Sequence, residues 1–186
     1  MSRARNVFVL CTGRCGSTTF ATAMGHATNF TAAHESRSHM TGPRRFAYPE
    51  GHVEVDNRLA WCLGRLEQAY GDTAHYVHLI RDPAAVAQSF VGRQNYGLIK
   101  AYRETLLLNL VLRAPKTDIR AIADDMVDTI TSNIQHFLHG KSRVMTLHLE
   151  EIEQGFPAFW HWIGASGDLG AAMAEWRVRH NASELP

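Results

Sequence analysis

An α/β fold built on a parallel sheet is predicted by three features of this 186-residue chain. Short apolar runs alternate with helix-patterned segments along its length, as in strand–helix units whose strands run parallel. The first run, Val7–Cys11, empties into a glycine-rich turn, TGRCGSTT, of the kind that joins a buried strand to a helix. A later run, His75–Ile80, ends in Arg81-Asp82-Pro83, and Asp-Pro opens helices because Asp caps and Pro suits the first turn.

The elements follow in order. Val7–Cys11 is apolar at every position, a strand buried on both faces. Ser17–Met24 is the helix after the turn, stopping near Gly25. Thr28–His34 reads as a second short strand. Ser36–Gly51 holds two prolines, two glycines and a histidine and reads as a loop, and Val53–Val55 alternates as a strand does. Asp56 is placed to cap a helix over Asn57–Tyr70, whose Leu59, Leu63, Leu66 and Tyr70 recur at helical spacing. His75–Ile80 is the next strand, with a helix from Pro83 to about Gly92. Residues 98–113 and 118–138 read as two longer helices. Arg143–Leu149 is a late strand, Glu150–Ile163 a helix with an aromatic face, and residues 168–177 a last helix. The length suits one well-buried domain, 1–186, and is short for two.

Composition narrows the function. Lys and Arg number 19 against 18 Asp and Glu, a net charge of +1, which speaks against a nucleic-acid partner. No apolar stretch approaches the ~18 residues of a membrane span, and Val7–Cys11 is too short for a secretory signal core. Cys11, Cys15 and Cys62 have no metal-type spacing and read as free thiols, so a cytoplasmic location is expected. Among the histidines, His136 and His139 stand at i, i+3 and His34 and His39 are close in sequence, but neither pair has a third ligand at a usual spacing. No metal is expected.

Chemistry concentrates at the ends of two strands, where ligands of parallel sheets bind. In the first turn, Gly13 and Gly16 let backbone N–H groups converge on an anion at a helix N-terminus. Ser17, Thr18 and Thr19 add hydroxyls and Arg14 a cation. The ATP-binding pattern GxxxxGK[ST] is absent, because Ser17 and not lysine follows Gly16. The alternative is a plain strand-to-helix turn. In the second turn, Arg81 stands at the strand end, and Ser89 and Arg93 share one face of the helix beyond it. An arginine fork with a serine hydroxyl suits a phosphate monoester, the alternative being Arg81 paired with Asp82. If the two strands are neighbours, a nucleoside with phosphates at both ends would bridge the turns.

GRCGSTT followed by LIRDPAAVAQSFVGR resembles the sulfotransferases that use 3′-phosphoadenosine 5′-phosphosulfate (PAPS). The late stretch RVMTLHLEEI is similar to that family's later strand and acidic turn. The resemblance implies a three-layer sandwich with a central parallel sheet, the P-loop NTPase-like sulfotransferase fold. It implies that Arg14, Cys15, Gly16, Ser17, Thr18 and Thr19 hold the 5′-phosphosulfate and that Arg81 and Ser89 hold the 3′-phosphate. It also implies sulfuryl transfer to a hydroxyl or amine of a small-molecule, carbohydrate or lipid acceptor, with Arg14 easing charge on the leaving phosphate. Such a transfer needs a base. Glu35 is the first candidate, since an acidic residue after the second strand serves some members. His34 is the second, and His39, His52, Glu54 and Asp56 remain open. Phe156, Phe159, Trp160 and Trp162 read as packing surface, and Arg177, Arg179 and Asn181 as a late basic segment beside the cofactor or a solvated helix end. A nucleotide kinase and a non-catalytic PAPS-binding module are the other readings, the first opposed by the missing lysine.

Overall fold

A computed structural model describes residues 5–107 and 118–178. Strands β1 (Val7–Cys11), β2 (Thr31–His34), β3 (His52–Val55), β4 (His75–Ile80) and β5 (Val144–His148) form one sheet in the order β2-β3-β1-β4-β5, with every pair parallel. The helices are α1 (Ser17–Met24), α2 (Leu63–Tyr70), α3 (Pro83–Val91), α4 (Gly97–Ala101), α5 (Ile119–Leu138), α6 (Ile152–Trp162) and α7 (Leu169–Glu175).

Side chains alternate across a strand, and β1 divides accordingly. Phe8 and Leu10 join one core with Leu66 of α2, Phe90 of α3 and Ile122, Met126 and Ile130 of α5. Val7, Val9 and Cys11 join the other with Phe20 of α1, Phe156 and Phe159 of α6 and Ala172 of α7. The result is three layers, helices on both faces of a parallel sheet. Phe156, Phe159 and Trp160 are buried in the second core, so the aromatic face of α6 is packing surface.

After β3 the chain passes over β1 to β4. The carboxyl end of β1 therefore lies where the strand order reverses, the usual place for a ligand in an open α/β sheet. β1 and β4 are hydrogen-bonded neighbours, with Cys11 beside Leu79, so the two turns predicted to bind phosphate leave the sheet side by side.

Four expectations shift. The helix expected over Asn57–Tyr70 is split, because Asp56 caps tightly onto the Arg58 N–H and Cys62 N–H returns to the Leu59 carbonyl; a 3₁₀ turn, Asn57–Trp61, precedes α2. β2 starts at Thr31, because Thr28 gives its N–H and hydroxyl to the Ser166 carbonyl and Asn29 caps Gly164. The loop 36–51 contains a 3₁₀ turn, Gly42–Phe46. The helix expected over 98–113 begins as α4 and widens into a π turn at Tyr102–Leu106, and residues 108–113 lie outside those described. Among the described residues no helix is long and apolar enough to cross a membrane.

Candidate active site

The turn after β1 is built on left-handed backbone. Gly13, Arg14 and Gly16 have φ of 84°, 60° and 83°, and Gly16 is the N-cap of α1. Left-handed residues interleaved with ordinary backbone, as Arg14 and Gly16 are on either side of Cys15, turn successive N–H groups to one side and make an anion-binding concavity. A side chain at Gly16 would meet Leu149 and Trp176, and one at Gly13 would meet the Asn57 amide and Phe90. Arg14 is half-buried and accepts a conformation that costs an L-residue about 1–2 kcal/mol. Ser17 and Thr19 are mostly buried in the first turn of α1, and Thr18 is more open. The Cys15 side chain is fully buried in the second core, so this residue presents only its backbone to the concavity.

The turn after β4 meets it directly. Arg81 Nη1 donates to the Arg14 carbonyl at 3.0 Å, and Arg14 Nε donates to Ser89 Oγ at 2.9 Å. α3 is capped by Asp82, whose carboxylate accepts the Ala85 N–H at 2.9 Å, and the Asp82 N–H is held by Glu150 at 2.9 Å. Burial, and then the positive charges of Arg93 and Arg81, push the Arg14 guanidinium below its usual pKa. Guanidinium groups that raise each other's cost in this way form a local positive field, which an anion would relieve.

Glu35 and His34 stand at the end of β2. His34 Nε2 lies 3.0 Å from Ser17 Oγ, which links the first candidate turn to the β2 end, and 3.9 Å from Glu35 Oε1. Glu35, at φ 52°, pairs with Arg58. Its backbone is pinned on both sides. Glu35 N–H donates to the Val55 carbonyl at 3.0 Å, and the next residue, Ser36, donates its N–H and hydroxyl to Glu54 at 2.7 and 2.6 Å.

The remaining base candidates are committed elsewhere or apart. Glu54 is fully buried and shared between Ser36 and His52, whose Nε2 is 2.9 Å away. Asp56 is fully buried against Arg45 at 2.9 Å, and burial raises its pKa. His39 is exposed on the loop. Arg177 is exposed beyond α7, and Arg179 and Asn181 lie outside the described residues. Among the described residues no group of three or more His, Cys, Asp or Glu side chains could hold a metal ion. Three neighbours of the site carried no signal in the sequence, Asn57 against Gly13, Arg58 on Glu35 and Trp176 over Gly16, whereas Leu149 over Gly16 and Glu150 on Asp82 fall within the stretch RVMTLHLEEI. Each reaches the site through tertiary packing alone.

No protein-family model matches the chain, and no curated protein matches it. Solved structures do. A sulfotransferase domain from the curacin biosynthetic pathway aligns with a TM-score of 0.63 at 14% identity, over 90% of this chain and 76% of that one. A mouse sulfotransferase complexed with PAP aligns at 0.60 and 11% identity over 95% of this chain, which spans 65% of that enzyme's length. A sulfotransferase domain from the Synechococcus PCC 7002 olefin synthase aligns at 0.58 and 13% identity, over 98% and 91% of the two chains. At such identities the likeness concerns the fold: this chain has the sulfotransferase fold.

Proposed function

We propose that the chain is a cytoplasmic sulfotransferase that takes a sulfuryl group from PAPS and passes it to a hydroxyl or amine of a small-molecule, carbohydrate or lipid acceptor, working as one domain over residues 1–186. The observation that carries this reading is the junction of two anion-ready turns on neighbouring strands, Arg81 to the Arg14 carbonyl and Arg14 to Ser89. A single phosphate needs one such turn. Two that touch fit a nucleotide with phosphate at both ends, and the PAP carried by the mouse neighbour supports that choice.

The residues present suit this ligand. Arg14, the N–H groups of Cys15, Gly16, Ser17, Thr18 and Thr19 and the nearby hydroxyls would hold the 5′-phosphosulfate, and Arg81 and Ser89 the 3′-phosphate. When bound, PAPS supplies the sulfuryl group, its bond to the 5′-phosphate breaking as the acceptor bonds to sulfur. Arg14 and the turn's N–H groups then offset the negative charge left on that phosphate, as fixed donors do in phosphoryl transfer. Glu35 takes the acceptor's proton. His34, hydrogen-bonded to Ser17, is the alternative proton acceptor.

Calorimetric titration tests the reading, with PAP beside ATP and magnesium, on wild type and Arg81→Ala. Micromolar PAP binding that Arg81→Ala abolishes is expected. ATP binding without PAP binding would sink the proposal and favour a kinase-like activity.

A further inference from the structure

Three arginines meet at one small turn, Gly42–Phe46, in the loop that follows Glu35. Arg37 Nη1 donates to the Arg44 carbonyl at 2.8 Å, with its guanidinium 5.2 Å from the Tyr48 ring centre. Arg65 Nη2 donates to the Gly42 carbonyl at 2.7 Å and lies 4.6 Å from the Phe46 ring centre. Arg44 is exposed on the same Gly42–Phe46 turn. Among the described residues, no carboxylate lies within ion-pair distance of these three, whereas Arg45, Arg58, Arg103 and Arg120 are each paired with one. The chain as a whole is nearly neutral at +1, so this excess is local. Behind the three, Arg45 is only 6% exposed, and its Nη1 and the Tyr48 hydroxyl have no hydrogen-bond partner.

Anchoring matters as much as charge. A guanidinium held on a carbonyl and an aromatic face has already lost much of its freedom, so a second bond to an anion costs little more. Its remaining N–H groups suit the two oxygens of a carboxylate or of a sulfate or phosphate ester. Arg37 follows Glu35 by two residues, with Ser36 between them fixed to buried Glu54.

We propose that Arg37, Arg44 and Arg65 form an anion subsite for the acceptor: the molecule whose hydroxyl or amine meets Glu35 carries an acidic group, a carboxylate or a sulfate or phosphate ester, that these arginines hold. This inference rests on the sulfotransferase reading for the word acceptor, but the anion subsite is tested independently of it.

The test follows arginine Nε–H resonances of ¹⁵N-labelled protein saturated with PAP. It titrates methyl β-D-glucuronide, glucose 6-sulfate, glucose 6-phosphate and neutral methyl β-D-glucoside, with sodium chloride at matched ionic strength. At least one acidic sugar is expected to shift Arg37, Arg44 and Arg65 together with one dissociation constant, and the glucoside and chloride to leave them in place. The ranking of the three acids names the anion. The double variant Arg44→Gln/Arg65→Gln is expected to weaken that binding at least tenfold while PAP affinity stays within twofold. No shift at these arginines, or an equal shift with glucoside or chloride, overturns the subsite. Failure of PAP to bind while an acidic sugar still shifts them removes the sulfotransferase reading and leaves the anion site standing.

Discussion

Arg14 Nε donates to Ser89 Oγ at 2.9 Å across 75 residues of sequence, so the turn after β1 and the helix after β4 share one hydrogen bond. With Arg81 Nη1 on the Arg14 carbonyl, both ends of Arg14 are held by the second turn. A ligand at either turn would therefore be felt at the other. Hydrogen bonds to charged groups contribute about 1.5–3 kcal/mol, so Ser89→Ala should weaken PAP binding by roughly tenfold or more, and Arg81→Ala more than that. Ser89 is half-buried, so the variant's melting temperature should stay near that of wild type. Calorimetry beside thermal unfolding checks both; wild-type PAP affinity in Ser89→Ala would remove this serine from the site.

Gly16 combines two demands, φ of 83° and neighbours Leu149 Cδ1 and Trp176 Cζ3 that would stand 2.9 and 3.3 Å from a Cβ. The conformation alone costs an L-residue about 1–2 kcal/mol. Crowding against two hydrophobic side chains adds to it, because packed interiors yield little. Gly16→Ala should lower the melting temperature by several degrees and PAP affinity with it, while far-UV circular dichroism stays unchanged. A Gly16→Ala protein that melts and binds like wild type would show that the turn is not held as described.

The two strand ends were legible because their information is local. Val7–Cys11 with Gly13 and Gly16, and His75–Ile80 with Asp82-Pro83, encode strand, turn and helix within a few residues each, and the structure reproduces those elements closely. The adjacency of β1 and β4 supplies the condition on which one ligand could bridge the two turns. What was hidden lies where Asp56 caps. Its tight hold on the Arg58 N–H makes a 3₁₀ turn of the expected first helical turn, and Arg58 reaches Glu35 and Asn57 reaches Gly13 from that turn. Helical periodicity over 57–70 carries no trace of those contacts, because Leu59 and Leu66 are buried in either arrangement.

Glu35 holds φ 52° without being glycine, and the neighbouring bonds explain how. Ser36 gives two hydrogen bonds to Glu54, a fully buried carboxylate that also faces His52 Nε2 at 2.9 Å, and His52 Nδ1 is 2.8 Å from Thr31 Oγ1. Glu54 thus positions the backbone that aims Glu35. Once an acceptor is found, Glu35→Gln should leave PAP affinity intact and lower kcat by roughly 10²–10⁴, the range for a general base. Ser36→Ala, which keeps the carboxylate of Glu35 but loosens its mount, should lower kcat by roughly tenfold with KM and PAP affinity little changed. Full turnover in Glu35→Gln would falsify the assignment and pass the role to His34.

His78 lies inside the sheet on β4, between Leu10 of β1 and Thr146 of β5, and is only 4% exposed. Burial, and secondarily the charge of His148, hold its pKa at about 4 against an ordinary 6.5. The unfolded chain therefore binds a proton here as the pH drops below 6.5, and the folded chain does not until about 4. Stability is complete above 6.5 and falls through that window, by about 3 kcal/mol at ~1.4 kcal/mol per pH unit. Urea unfolding at intervals from pH 7 to 4.5 should show this loss on top of that from the carboxylates. His78→Gln, which cannot take the proton, should flatten the curve whatever its stability at pH 7. Parallel curves for wild type and variant would mean that His78 is not held neutral by the sheet.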